Sequence, residues 1–199
     1  MRKALALAVA SIGLLCFSGC SAEQTGPART ADGSPTFRGP WSAAFAEAWS
    51  NSNNQLQRRI LSDEEISERE NQELQDRFVS CMARLGAAVT WDTDGGFHIA
   101  SHDDADRSSE TTESVTRCES ETTGPISPLF YQVRSNPDNR DIYELIASCL
   151  VSKKLVESTY SARDYQSDFE SDTFPFSPTD EAFKKCNVDP LGLNPQAPR

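Results

Sequence analysis

Four cysteines beyond the first twenty residues constrain this chain more than any other feature. Cys118 follows Cys81 by 37 positions, and Cys186 follows Cys149 by the same 37. Four cysteines permit three pairings, and the surroundings narrow the choice. "RFVSCMARLG" and "ELIASCLVSK" share a Ser-Cys-hydrophobic core. "ESVTRCES" and "EAFKKCNV" share an acidic residue, an apolar one, a basic one and then the cysteine. Two degenerate copies of one unit account for spacing and context together. Each copy then closes on itself, Cys81 with Cys118 and Cys149 with Cys186. The alternative is two unrelated segments whose spacings coincide. A cross-link closing a loop of this length stabilises by roughly 4 kcal/mol in the chain-entropy model.

Disulfides persist outside the reducing cytoplasm, and the N-terminus supplies that address. Arg2 and Lys3 precede an apolar run from Ala4 to Phe17, broken only by Ser11 and Gly13. The run is shorter than the roughly twenty residues that a membrane-spanning helix needs. It reads as the hydrophobic region of a signal peptide, residues 1–19, with Cys16 inside it. "FSGC" resembles a bacterial lipobox, although Phe17 stands where leucine is usual. That resemblance implies a lipid on Cys20, which becomes the first residue of the mature chain and holds it at the cell membrane. Each buried acyl methylene contributes about 0.8 kcal/mol, so several chains together anchor a soluble domain. An ordinary secretory signal cut near "SGCSA" would instead leave Cys20 as a thiol.

Residues 20–36 are dominated by Gly, Pro, Ser, Thr and Ala, with no large apolar residue and no periodicity. Such a stretch does not bury enough surface to offset its ordering entropy and reads as a flexible tether. Residues 37–199 are then a single extracytoplasmic domain. The whole chain carries 19 basic and 30 acidic residues, a net charge of −11. Loss of Arg2 and Lys3 with the signal peptide takes this to 17 against 30, or −13. So acidic a surface repels nucleic acid and anionic lipid as direct ligands.

Periodicity supplies the architecture. Trp41, Phe45, Trp49, Leu56 and Ile60 make one apolar stripe, expected as an amphipathic helix whose aromatic face joins the core. Ser67 and Glu70 form a capping box, opening a helix with Leu74, Phe78, Cys81, Met82 and Leu85 on its inward face. "AAVTWDTDGGFHIA" alternates around Asp94-Gly95-Gly96 as a β-hairpin does. A polar loop and a short helix carrying Cys118 complete the first unit. In the second, Asn136 and Pro137 suit the N-cap and first position of a helix bearing Ile142, Leu145, Ile146, Cys149 and Leu150. A strand-like "LVESTY" follows, then an aromatic loop through Tyr165, Phe169, Phe174 and Phe176. Ser177-Pro178 then opens a last helix with Ala182, Phe183 and Cys186 inward. The expected class is α+β and mainly helical. It comprises two helix–hairpin/strand–helix units, about residues 62–124 and 125–190, preceded by the amphipathic helix.

The segments "GPWSAAFAEAW", "RRILSDEEISERENQEL", "RFVSCMARLG" and "NPDNRDIYELIASCLV" resemble a family of secreted, cysteine-containing lipoproteins of actinobacteria. The resemblance covers about residues 39–190. It implies a compartment and disulfides at Cys81, Cys118, Cys149 and Cys186, with no activity and no catalytic residues to transfer.

Motifs that carry chemistry are sparse. "LSDEEISERE" mimics a calcium loop, but Arg59, Leu61 and Glu64 stand where such a loop needs ligands or glycine. "DTDGG" lacks a closing glutamate. His98 and His102 are the only histidines. On a strand their spacing separates them by roughly 13 Å, so solvated loop residues are the expectation, not a zinc pair. There is no Cys-x-x-Cys, G-x-S-x-G, H-E-x-x-H or phosphate-binding glycine loop. No cofactor is expected. The length does not provide the two α/β lobes of a bilobal receptor. The leading expectation is a non-catalytic binding or accessory protein of the cell envelope, with an envelope protein or the cell wall as partner. The alternative is a cell-wall hydrolase using paired carboxylates such as Asp164 and Asp168.

Overall fold

The computed structural model describes residue 30 and residues 33–92, 95–101 and 108–194. Among them are eight helices and one two-stranded antiparallel sheet, a mainly helical α+β fold. Cys20, and with it the expected lipid site and most of the expected tether, lies outside the described residues. So do Asp94 and His102.

The apolar stripe of residues 41–60 forms two helices where one was expected. α1 spans Ser42–Ser50 and α2 spans Gln55–Leu61. The break has a local cause: the Asn54 side chain accepts from Gln57 N and starts α2 afresh. Phe45, Ile60 and Leu61 are buried together with Leu74, Ile126 and Leu129, so the stripe is core. Pro35 is buried as well. Glu64, at φ 62°, accepts from the backbone N–H groups of Arg38 and Gly39 at 2.7 and 2.6 Å, fastening the segment before α1.

The spine of the first unit is α3, Glu68–Arg84. Its capping box forms as expected: Glu70 N–H donates to Ser67 Oγ, and Ser67 N–H donates to the Glu70 carboxylate at 2.9 Å. Leu74, Phe78, Cys81 and Met82 are buried, each large apolar side chain being worth about 1.5–3 kcal/mol. Leu85 departs from the expected stripe. It is the C-cap and is 40% exposed, because the chain leaves the helix through Gly86 at φ +81°.

Strands β1, Ala87–Trp91, and β2, Phe97–Ser101, pair with Trp91 opposite Phe97. Alternation puts Ala87, Val89, Trp91, Phe97 and Ile99 against Phe78, Met82 and the Cys81–Cys118 pair. α4, Ser108–Glu121, carries the fully buried Cys118. α5, Ile126–Ser135, was not anticipated; it buries Ile126, Leu129 and Phe130. Its short apolar run follows a glycine and a proline, and it lacks a side-chain N-cap hydrogen bond, so the usual start signal is missing.

The second unit begins later than Asn136-Pro137 suggests. Asn136 is the C-cap of α5, and α6 spans Ile142–Ser152 with Asp141 accepting from Tyr143 N and Glu144 N. Ile142, expected inward, is 41% exposed. "LVESTY" forms turns and no strand, since α6 ends through Lys154 at φ 59° and Ser161 at once caps the next helix. That helix, α7, spans Ala162–Ser171 and takes up half of the expected aromatic loop, including Tyr165 and Phe169. The last helix, α8, is Glu181–Val188; Asp180, not Ser177, supplies its cap. Both α7 and α8 pack on α6, with Ile146, Leu150, Tyr165 and Cys186 at the centre. Phe174, Phe176 and Phe183 form a ring cluster with centroids 4.9–5.3 Å apart.

Both disulfides join the expected partners. Cα–Cα separations are 5.7 Å for Cys81–Cys118 and 5.6 Å for Cys149–Cys186, each across 37 residues. The α5–α6 connection is tied to the start of α1: Trp41 Nε1 donates to Asn136 O at 2.8 Å and Asn139 Nδ2 donates to Pro40 O at 2.9 Å.

Candidate functional site

Among the concavities lined by described residues, three differ in their chemistry. The most voluminous of these three, about 750 Å³, runs along the polar face of α3 past Arg69, Glu73, Arg77 and Arg84 to Glu121. Its charges answer one another: Glu73 pairs with Arg77 at 3.0 Å and Arg59 at 3.2 Å. These groups are exposed, and such pairs contribute about 0–1 kcal/mol. It is a solvated surface, not a built site.

A second concavity, about 510 Å³, lies between Trp41 and the segment from the end of α5 to the start of α6, residues 132–142. Its polar groups are committed to the fold. Asn136 exchanges side-chain hydrogen bonds with the Arg140 backbone at 2.7 and 2.9 Å, its carbonyl accepts from Trp41, and Asp141 caps α6.

The third, about 350 Å³, lies between the hairpin and the α4–α5 corner, and its chemistry is not all absorbed by the fold. One wall is Trp91, Gly95, Gly96 and Phe97; the other is Glu119, Thr123, Gly124, Ser127, Pro128 and Tyr131. The pleat places Trp91 on the inward face, where its ring meets Phe78 and Phe97 at 5.4 and 5.1 Å. Its Nε1–H is buried and has no acceptor among the described residues. A buried donor left so costs about 1–3 kcal/mol, a penalty that native structures seldom carry without a reason. Across the cavity Glu119 is half-buried, and burial pushes its carboxyl above the usual range. No hydrogen bond or ion pair holds that carboxyl among the described residues.

The opposite wall is rigid. Ser127 Oγ donates to Asn71 Oδ1 at 2.7 Å in the core, and Gln75 Nε2 donates to Tyr131 Oη at 3.1 Å, tying α5 to α3. Gly124, at φ +42°, donates its N–H to Glu119 O at 2.6 Å and turns the chain from α4 into α5. Gly95, at φ +91°, rests against the Tyr131 ring so closely that a Cβ there would collide with it. Gly95 is therefore packed directly on α5 through Tyr131.

The residues singled out from sequence fall elsewhere. His98 Nε2 lies 3.0 Å from Asp92 Oδ2 on the outer face of the hairpin. No group of three or more metal-ligating side chains gathers among the described residues. Asp164 is spent on capping: Ser161 Oγ donates to it at 2.7 Å and Ser161 N at 2.8 Å, and the two bonds lower its pKa. Asp168 accepts from Tyr160 Oη at 2.7 Å; burial first, then this bond, raises the tyrosine's pKa. Neither carboxylate borders the three concavities. Trp91 was legible as an inward hairpin residue, whereas nothing in the pattern around Glu119 marks it out.

No protein-family model matches this chain, and no curated protein or solved structure matches it either.

Proposed function

We propose that this chain is a lipid-anchored protein of the extracytoplasmic face of the cell membrane, acting there as a non-catalytic binding or accessory protein of the cell envelope. The observation that carries the reading is the pair of disulfides, Cys81–Cys118 and Cys149–Cys186, behind an N-terminal segment built as a signal peptide with a lipobox-like "FSGC". Cross-links of this kind belong to an oxidising compartment, and Cys20 is the residue through which lipid would hold the chain there. Among the described residues no helix is long and apolar enough to cross a membrane.

Recognition, in preference to hydrolysis, is supported by how the carboxylates are used. Acid–base cleavage of a glycosidic bond takes two carboxyl groups roughly 5–10 Å apart. The pair singled out from sequence is engaged otherwise: Asp164 caps α7, and Asp168 accepts from Tyr160 Oη. The secreted lipoproteins that the sequence resembles fit the same reading.

The test is metabolic labelling with a fatty acid, comparing the native chain with Cys20→Ser. Label on the native chain that disappears in the variant, with release from the membrane, is the expected result. Label retained on Cys20→Ser, or a native chain without label, overturns the anchor. Cross-linking in intact envelopes should recover a specific protein or wall fragment, and cleavage of purified peptidoglycan by the chain would replace the binding role with the hydrolase.

A further inference from the structure

The hairpin leaves a row of backbone groups without partners, and their pattern specifies what completes it. Asp92 N–H donates to Gly96 O at 2.8 Å, which fixes the phase of the ladder. Backbone groups alternate sides along a strand, so Thr90 bonds across to His98 and Ala88 to Ala100, while Phe97, Ile99 and Ser101 aim theirs outward. No hydrogen bond reaches those outward groups among the described residues. α3 packs along β1, which leaves β2 as the outer strand. Its edge carries none of the devices that normally close one. "FHIAS" contains no lysine, carboxylate or proline, and the one-to-one register from Phe97 to Ser101 excludes a bulge. N–H and C=O groups repeating every second residue, about 7 Å apart, match the backbone of another strand. Phe97 and Ile99 belong to the inner face, and His98 and Ala100 are exposed on the outer one. An added strand therefore needs apolar residues at alternate positions. A second copy of this chain is repelled by a net charge of −11 on each, whereas a segment bearing Lys or Arg is attracted.

We propose that the outer edge of β2, from Phe97 to Ser101, docks an extended basic segment of a partner polypeptide as the third strand of the sheet. The segment's backbone pairs with the N–H and C=O groups of Phe97, Ile99 and Ser101. Its alternate apolar side chains continue the inner face beside Phe97 and Ile99. The edge names the kind of partner for the binding role proposed above and rests on that role for its setting. No covalent step is involved.

A random peptide library displayed on phage is selected against the full-length chain, and the enriched peptides are synthesised. The expected consensus alternates apolar residues with polar ones, Lys or Arg among them. Binding should slow exchange of the Phe97, Ile99 and Ser101 amides by about tenfold or more, while those of Val89 and Trp91 on the opposite edge are unchanged. N-methylation of the peptide at alternate residues should abolish binding, and at the intervening ones leave it intact, because only every second N–H faces the edge. Ala100→Lys places on the exposed face of the strand the charge that edges usually carry, and should weaken binding several-fold. The absence of any enriched peptide, protection that falls elsewhere than β2, or binding indifferent to N-methylation or to Ala100→Lys overturns the docking edge. A dimer in sedimentation with the β2 amides protected, in place of peptide binding, gives the edge to a second copy and overturns the partner. Peptide pairing by a chain that takes no lipid would overturn the anchor alone, and lipid labelling without pairing would overturn this edge alone.

Discussion

The two disulfides close loops of identical length, yet their removal should have different consequences. In the chain-entropy model a 37-residue loop corresponds to about 4 kcal/mol for either bond. What differs is the surrounding structure. Cys81 and Cys118 lie in a core formed by α3, α4 and both strands, and α3 continues into the core shared with α1, α2 and α5. Cys149 and Cys186 tie three short helices whose core is their own, joined to the rest around Trp41–Asn136 and Pro40–Asn139. A unit of some fifty residues is marginal by itself. Replacing Cys149 and Cys186 together with Ala should therefore unfold α6–α8 locally while α3 and its partners stay folded. Replacing Cys81 and Cys118 should lower the midpoint of the larger unit by about 20 °C without a separate transition. Native-state hydrogen exchange reads both outcomes, amide by amide. In the first variant, protection should vanish at Leu145–Leu150 and persist at Leu74–Met82. Protection retained at α6, or equal loss at α3 and α6, would show one cooperative fold and refute the argument from separate cores.

Gly95→Ala should destabilise through two causes, the left-handed backbone at φ +91° and collision with Tyr131. In a Tyr131→Ala background only the first remains, about 1–2 kcal/mol, which a double-mutant cycle by urea denaturation will show. Glu119→Gln should raise the thermal midpoint at neutral pH, because burial raises the carboxyl's folded-state pKa. A raised pKa means that the native carboxyl imposes no cost where it is protonated in both states and a cost once pH climbs through the folded value. The advantage of the variant should vanish in acid, and one that grows there would contradict the assignment. Ser67→Ala should cost about 1 kcal/mol by loss of the capping box, with the change confined in exchange experiments to the first turn of α3.

Signals that act within a few residues were legible in the sequence. Ser67 with Glu70, the alternation from Ala87 to Trp91, and Cys81 in phase with Leu74 and Phe78 each state a local preference that the fold keeps. Competition between equivalent local signals was not legible. Asn136-Pro137 and Asp141 both suit a helix start, and Asp141 prevails because Asn136 is held by Trp41 from 95 positions away and by the Arg140 backbone. "LVESTY" has strand composition, but no neighbouring strand pairs with it, and the Ser161–Asp164 box draws the following residues into a helix. The cavity was hidden for the same reason. Trp91 and Glu119 border one cavity only because α5, itself unannounced, carries Tyr131 and Pro128 to face the hairpin.

The two units correspond at their closures and differ between them. Cys81 and Cys149 each stand four residues before a helix C-cap, Leu85 and Lys153. The next residue in each case is left-handed, Gly86 at φ +81° and Lys154 at φ 59°. Cys118 and Cys186 each lie in the last turn of a shorter helix packed across the first. A lysine in the conformation that favours glycine shows how strongly that exit geometry is imposed. Between the closures the first unit spends its 37 residues on a hairpin and α4, and the second on turns, α7 and an aromatic loop. A disulfide that fixes the ends of a loop leaves its middle free to diverge at little cost to the frame. The hairpin cavity sits in such a middle, with Trp91 inside the Cys81–Cys118 loop and Glu119 one residue beyond Cys118. The same bond that stabilises the first unit therefore fixes the position of the carboxyl relative to α3, on which the hairpin packs. The cavity is then a property of the first unit's insert, and the second unit keeps the same closure around a different insert.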